Sequence, residues 1–352
     1  MRTLLFTLLC GSLSLLNAQD IPVPTTQMPI ITKNTATWCP KCGDYGWVLM
    51  NGIIEDNAGK AVIWAAHKSS SSDLYVKVAA DIVNNFKLDF GQPTFYVNGE
   101  DQDVFSNNYQ SKRQVIKDKV NAQAFQSPLA QTGLLMGLDN RTLDIRARTK
   151  FFKAANGTFH LGLYLVEKTH IGYQSSVGNS AQHKFVLRAS LTPESSFGNL
   201  LLEGSLAANA EASTSLRYDL PEDIKTDNIQ VVAVIWQKVD DKFVFVNSNL
   251  VEDYAELTTD IETPSVVFGA VRITPNPVTN AAQIQLLPSA PLQQVNLRLL
   301  DVAGRQVQNI FDGPLSEGVH HFELERSGLP AGTYWLQARS GVQVYTQMVI
   351  FQ

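Results

Sequence analysis

The sequence predicts a multidomain chain, an α/β domain followed by two all-β sandwich domains. Strand-like and helix-like segments alternate from residue 19 to about 126. From 127 to 258 they give way to short alternating strands with turn signals, the pattern of an antiparallel sandwich. From 270 to 352 the pattern is again all-β, punctuated by Gly304, Gly313, Gly318, Gly328, Gly332 and Gly341, and 259–269 reads as a linker. A length of 352 residues suits two or three domains better than one core.

Each element of the first domain has its own signal. Pro29-Ile30-Ile31 leads as a strand towards Cys39, and Pro40 is placed for a first helical turn. Tyr45, Val48, Leu49 and Ile53 recur with helical spacing until Gly59 stops them. Ala61 to Ala66 is a continuous apolar run of the buried-strand type. Ser69 to Ser72 offer N-caps for a helix carrying Leu74, Val78, Ile82 and Phe86 on one stripe. Pro93 to Val97 is a strand turned by Asn98-Gly99, a strong hairpin signal. Ser111 and Gln114 form a capping-box pair for a last helix with Ile116, Val120 and Ala124.

In the second domain, Leu143–Phe152 and Thr158–Val166 flank Asn156-Gly157, which predicts a hairpin between them. The segments 183–189, 229–238 and 242–247 follow as further strands. No internal repeat or low-complexity tract stands out.

Composition narrows the function classes. The chain is 44% hydrophobic and only 17% charged, a balance that fits a β-rich exported protein. A net charge of −5 gives no basic footprint for nucleic acid and argues against anionic membrane surfaces. Residues 1–18 read as a signal peptide: Arg2 is the positive start, Leu4 to Leu16 the apolar core, and Ala18 the small residue before cleavage. That core is well short of the ~20 residues of a permanent span, and no later segment reads as a transmembrane helix.

The cysteine count then becomes informative. Cys10 lies in the signal, which leaves Cys39 and Cys42, two residues apart. A disulfide across so short a loop gains little from loop entropy, so chemistry explains the pair better than stability does. At the start of a helix, Cys39 has unpaired N–H groups and the neighbouring Lys41 to favour its thiolate. It is the expected nucleophile, and Cys42 the resolving thiol. The plainer readings are a static surface disulfide or a pair of zinc ligands. Zinc usually takes four ligands and the six histidines are scattered, so no metal site is expected and no cofactor beyond the redox-active Cys39–Cys42 disulfide. His67 closes the second core strand and is a candidate proton shuttle.

Thr37-Trp38-Cys39-Pro40-Lys41-Cys42 resembles the active-site segment of thioredoxin-fold proteins, and Gly91-Gln92-Pro93-Thr94 resembles their cis-proline loop. The resemblance implies a thioredoxin-like first domain over 19–126 and a cis Gln92–Pro93 bond. It also implies that Trp38, Pro40, Lys41, Gln92 and Pro93 orient a substrate strand at the sulfurs. One departure stands out. Where thioredoxins carry a buried acid, this chain has Lys33, which together with Lys41 would stabilise thiolate and make the disulfide more oxidising.

Two larger resemblances follow. The first half joined to a sandwich containing Leu163-Tyr164-Leu165-Val166-Glu167 and His183-Lys184-Phe185-Val186-Leu187-Arg188 resembles the outer membrane protein 28-related family. The resemblance leaves two readings of His183 and Arg188, functional residues or, as the plainer one, structural strand positions. Ile273-Thr274-Pro275-Asn276-Pro277, the segment 297–305 and Gly328-Leu329-Pro330-Ala331-Gly332-Thr333-Tyr334 resemble the type A C-terminal sorting domain of the type IX secretion system. That implies recognition of residues 270–352 by the secretion machinery and their removal afterwards. The resulting expectation is a secreted or cell-surface protein exchanging thiols and disulfides with exported proteins. The alternative is a surface binding or adhesion protein that uses the fold as a scaffold.

Overall fold

The computed structural model describes residues 21–86, 91–124, 126–192, 195–257, 271–288, 291–301, 305–340 and 343–352. The expected signal peptide (1–18) and linker (259–269) lie outside the described residues. The chain divides into two compact units, 1–258 and 259–352.

In the first unit β1 (Ile30–Thr35) runs parallel to β2 (Val62–His67) and antiparallel to β3 (Thr94–Val97), which turns into β4 (Glu100–Asp101). Asn98 at φ 54° and Gly99 at φ 87° both enter the left-handed region, so the turn is the tight hairpin that this dipeptide predicts. Among the described residues four helices accompany these strands: α1 (Pro40–Gly43), α2 (Tyr45–Asn57), α3 (Lys77–Phe86) and α4 (Tyr109–Ala124). On one face Ile31, Ile63 and Phe95 meet Leu49 and Ile53 of α2 and Ile116 and Val120 of α4. On the other, Ile30, Val62 and Trp64 meet Val78, Ile82 and Val83 of α3.

Two expected caps lie elsewhere. Helix α3 begins only at Lys77, because Ser72 is drawn inward to His67 and Thr37. Helix α4 begins at Tyr109, two residues before Ser111. Asn108 accepts from Phe105 N, and the Ser111 hydroxyl turns back to the Asn108 carbonyl.

The second half adds β5 (Ala130–Asp139), β6 (Thr142–Phe151), β7 (Ala155–Gln174), β8 (Gly178–Ser190), β9 (Asn199–Leu206), β10 (Glu211–Asp219), β11 (Ile229–Val239) and β12 (Lys242–Val251). The expected division at 126/127 is not a break in the packing. One sheet runs in the order β12-β11-β7-β8-β2-β1-β3-β4, with β9 beside β7, and β8 joins β2 in parallel where Val186 meets Ala65. A separate sheet, β10-β6-β5, covers one side.

The reason lies in the side chains of β7 and β11. Leu163, Leu165, Val231, Ala233 and Ile235 face the small sheet, while Tyr164, Val166, Val232, Val234 and Trp236 join the α3 core. Runs that are apolar at every position suit strands buried on both faces, not a sandwich with a solvated outer face. The predicted hairpin at Asn156-Gly157 is also absent. These residues lie inside β7 opposite Ser205 and Gly204, and β6 pairs instead with β5 and β10. Only Gly157 of the two has positive φ, so the two-residue turn does not form there.

The second unit consists of β13 (Val271–Thr274), β14 (Ala281–Leu286), β15 (Leu292–Leu300), β16 (Gln306–Leu315), β17 (His320–Glu325), β18 (Gly332–Ser340) and β19 (Gln343–Phe351). Two antiparallel sheets, β13-β14-β17 and β16-β15-β18-β19, enclose a core of Ile284, Leu286, Val295, Leu297, Leu299, Leu336, Val349 and Phe351. Among the described residues no helix is long and apolar enough to cross a membrane.

Candidate functional site

The two cysteines lie just past the end of β1. Cys39 is the N-cap of α1 with extended backbone (φ −78°, ψ 112°), and Pro40 takes the first helical position, where its missing N–H costs nothing. Cys39 and Cys42 are joined in a disulfide, their Cα atoms 5.3 Å apart, and Cys42 N donates to Cys39 Sγ at 3.2 Å. Helix α1 is only four residues long, and Asp44 (ψ −114°) separates it from α2. The expected dipole effect on Cys39 therefore reduces to this one local N–H.

The residues expected to orient a substrate stand around the sulfurs. Trp38 is 48% exposed, with its indole N–H donated to Ser69 Oγ at 3.3 Å. Pro40 and Lys41 are exposed beside it. The Gln92–Pro93 peptide bond is cis, and the Gln92 carbonyl oxygen lies 3.6 Å from Cys39 Sγ. Pro93 rests on Gly46 of α2 so closely that a Cβ there would come 2.8 Å from its Cγ. Thr94 Oγ1 donates to the Gly91 carbonyl at 2.6 Å and steadies the loop. Cys39 itself is 4% exposed and Cys42 fully buried.

A second layer lies beneath. Lys33 of β1 is buried, and its Nζ donates to the Cys42 carbonyl at 3.3 Å beside the Trp47 ring. Burial without a compensating charge lowers its pKa from 10.5 to about 7. It is thus not the permanent cation that the sequence suggests.

His67, at the end of β2, is fully buried, with Nδ1 2.9 Å from Ser72 Oγ and no partner on Nε2. Desolvation first, then the neighbouring His183 and Lys33, holds its pKa well below 6.5. His183 of β8 stacks edge-on to both Trp47 and His67, and burial pushes it down to about 4. Arg188 is paired with Glu167 and Asp223. Among the described residues no group of three His, Cys, Asp or Glu side chains could hold a metal ion.

Sequence reasoning missed the cover over the cysteine turn. The β7–β8 hairpin reaches back so that Ser175 N donates to the Thr37 carbonyl at 2.8 Å and Gln174 Nε2 to the Cys39 carbonyl at 3.0 Å. Gly43 allows this approach, because a Cβ there would lie 1.8 Å from Ser175 O. That glycine directly after Cys42 is the one local trace of the contact in the sequence.

Comparison with known proteins addresses the two units separately. Residues 272–352 match the family described as the secretion system C-terminal sorting domain. The second unit is therefore similar to a secretion sorting domain over residues 272–352. A chain carrying it is addressed for secretion to the outer cell surface, which agrees with the expected localisation. No curated protein matches the chain. Among solved structures, HBP35 of Porphyromonas gingivalis aligns with 93% of this chain and 99% of its own, at TM-score 0.54 and 15% identity. That likeness is one of fold alone. A domain of the outer membrane lipoprotein Omp28 from Porphyromonas gingivalis aligns with 36% of this chain and 89% of its own, at TM-score 0.25 and 11% identity. A likeness this loose carries no argument.

Proposed function

We propose that this is an exported thiol–disulfide exchange protein whose first unit is thioredoxin-like and whose last unit is read by the type IX secretion machinery. The observation that carries the reading is the Gln92 carbonyl set 3.6 Å from Cys39 Sγ by the Gly91–Thr94 loop. In the reduced protein a Cys39 thiolate attacks one sulfur of a substrate disulfide, and the other sulfur leaves. Cys42 then displaces the substrate and restores the Cys39–Cys42 bond. Trp38, exposed beside the pair, supplies an apolar surface for the substrate chain, and the backbone at Gln92 pairs with it.

The test is exchange by the purified chain with a small test disulfide, compared with Cys39→Ser. Loss of exchange in the variant supports the reading, and equal rates in the two proteins overturn it.

The burial of both sulfurs favours a second reading, a surface binding protein in which the disulfide is inert under the β7–β8 hairpin. Resistance of the native disulfide to a small dithiol, with reduction only on unfolding, would establish that reading instead.

A further inference from the structure

We propose that the small cavity between β1, β2, β8 and α2 is an anion site that takes a single halide ion, held by Lys33, His67 and Thr35. The site stands apart from the exchange reading, since the ion makes and breaks no bond to sulfur.

Parallel strands β1 and β2 build its floor. Lys33 and Thr35 lie two residues apart on one face of β1, and the register sets Ala65 and His67 of β2 opposite them. All four line a cavity of about 20 Å³, with α2 and β8 as its other walls. That volume holds one particle of about the size of a water molecule. Lys33, Thr35 and His67 are each at most 3% exposed. Among the described residues, however, Thr35 Oγ1 and His67 Nε2 have no hydrogen-bond partner. Buried polar atoms are normally paired, so two orphans on one cavity mark a place where a ligand is missing.

The hydroxyls beside His67 fix what its free nitrogen offers. Ser72 Oγ accepts from Thr37 N at 3.1 Å and lies 3.3 Å from Thr37 Oγ1, which accepts from Asp73 N at 3.4 Å. Every hydroxyl proton here finds an acceptor when Thr37 donates to Ser72 and Ser72 donates to His67 Nδ1, 2.9 Å away. The opposite order leaves the Thr37 proton with none. Assigned in this way, His67 carries its proton on Nε2, and the orphaned atom is a donor. Lys33 Nζ is a second donor, with one proton spent on the Cys42 carbonyl at 3.3 Å. The Thr35 hydroxyl is a third.

Charge then selects an anion. Among the described residues no Asp or Glu lines the cavity. Strand β8 brings His183, whose Nε2 proton goes to the Tyr173 carbonyl, and Lys184, whose Nζ reaches Thr169 and Gln182 at the mouth. The Lys33 ammonium meets a carbonyl and, 5.5 Å away, the centre of the Trp47 ring. Neither carries a negative charge, and a buried charge needs a partner of opposite sign. A water molecule accepts the same hydrogen bonds but brings no charge. Sulfate, phosphate and carboxylates bring the charge but exceed the volume. A halide supplies the charge, accepts from all three donors and fits.

The test follows thermal unfolding of the full chain at pH 7 in rising sodium bromide. Sodium gluconate, whose anion is too large for the cavity, keeps the ionic strength constant. The transition of the first unit should climb by about 3–5 °C for each ten-fold of bromide beyond the dissociation constant. In Lys33→Met the climb should vanish. Equal midpoints of the unmodified chain in the two salts overturn the proposal. A climb of the same size in Lys33→Met also overturns it, because the effect is then one of salt in general. Crystals of the unmodified protein grown in bromide locate the ion without any variant. An anomalous peak in contact with Lys33 and His67 supports the site, and water density there with no anomalous signal overturns it.

Discussion

Gln174 donates its side-chain N–H to the carbonyl of Cys39 at 3.0 Å, across a sequence separation of 135 residues. The turn that carries the cysteines is therefore held partly by the β7–β8 hairpin. The close approach depends on Gly43, where an added Cβ would meet backbone oxygen at 1.8 Å.

Gly43→Ala is accordingly expected to destabilise the first unit by about 1–3 kcal/mol, the usual cost of forcing atoms into a filled site. The sign is informative, because alanine is the better helix former by about 1 kcal/mol. A chemical denaturation curve that moves to higher midpoint would mean that the hairpin is not seated on α1.

Removing Arg188 tests the ion pair with the buried Glu167. The Glu167 side chain is 6% exposed and that of Arg188 15%, so Arg188→Met strands a carboxylate that, among the described residues, keeps His170 and Asn228. A loss of about 3 kcal/mol is expected in urea unfolding. The double variant Arg188→Met with Glu167→Gln should recover part of it, since the stranded charge is then gone. A double variant as unstable as the sum of both singles would deny the coupling.

What the sequence disclosed follows from how local each signal is. The Asn98-Gly99 turn, the cis bond before Pro93 and the inward positions Tyr45, Leu49 and Ile53 of α2 depend on neighbouring residues and are present, whereas Val48, expected on the same face, is 57% exposed. The sheet shared by the two halves depends on β8 finding β2 across more than a hundred residues, which no window along the chain contains. The run Val231 to Trp236 did hold a clue in its lack of alternation. At the site, Cys39, Cys42 and Pro93 were legible from their motifs. Gln174 and Ser175 were not, because a polar hairpin tip looks the same wherever it lands. Lys33 is legible in the sequence as a lysine where an acid is expected, but its burial, which decides whether it is charged, is a property of packing.

The sorting domain supports a prediction about location. Deleting residues 272–352 removes the segment matched by the secretion family and leaves intact the core of the first unit, 1–258. Cells expressing the shortened chain are expected to retain it inside the envelope, with at least a ten-fold drop at the cell surface and in the medium by immunoblot. Mass analysis of the exported full-length product should show residues 270–352 removed. Unchanged export of the shortened chain would refute the role of the domain, and an exported form retaining it would refute processing alone.

Lys33 also gives the fold a pH dependence whose direction is fixed. Its pKa drops from 10.5 in the unfolded chain to about 7 in the fold. Between those values the unfolded chain binds a proton that the folded one does not, so stability rises with pH across the window. At and below pH 7 the burial costs on the order of 4–5 kcal/mol, and above about 10.5 it costs almost nothing. Lys33→Met lacks the titrating amine. It should be more stable than the unmodified chain at pH 7, with the gain shrinking steadily by pH 9.5. Loss of the hydrogen bond to the Cys42 carbonyl adds an offset, but that offset is the same at both values. Urea midpoints of the two proteins at pH 7 and 9.5 decide the matter. A difference that stays constant between them would mean that Lys33 keeps its ordinary pKa in the fold and is charged while buried.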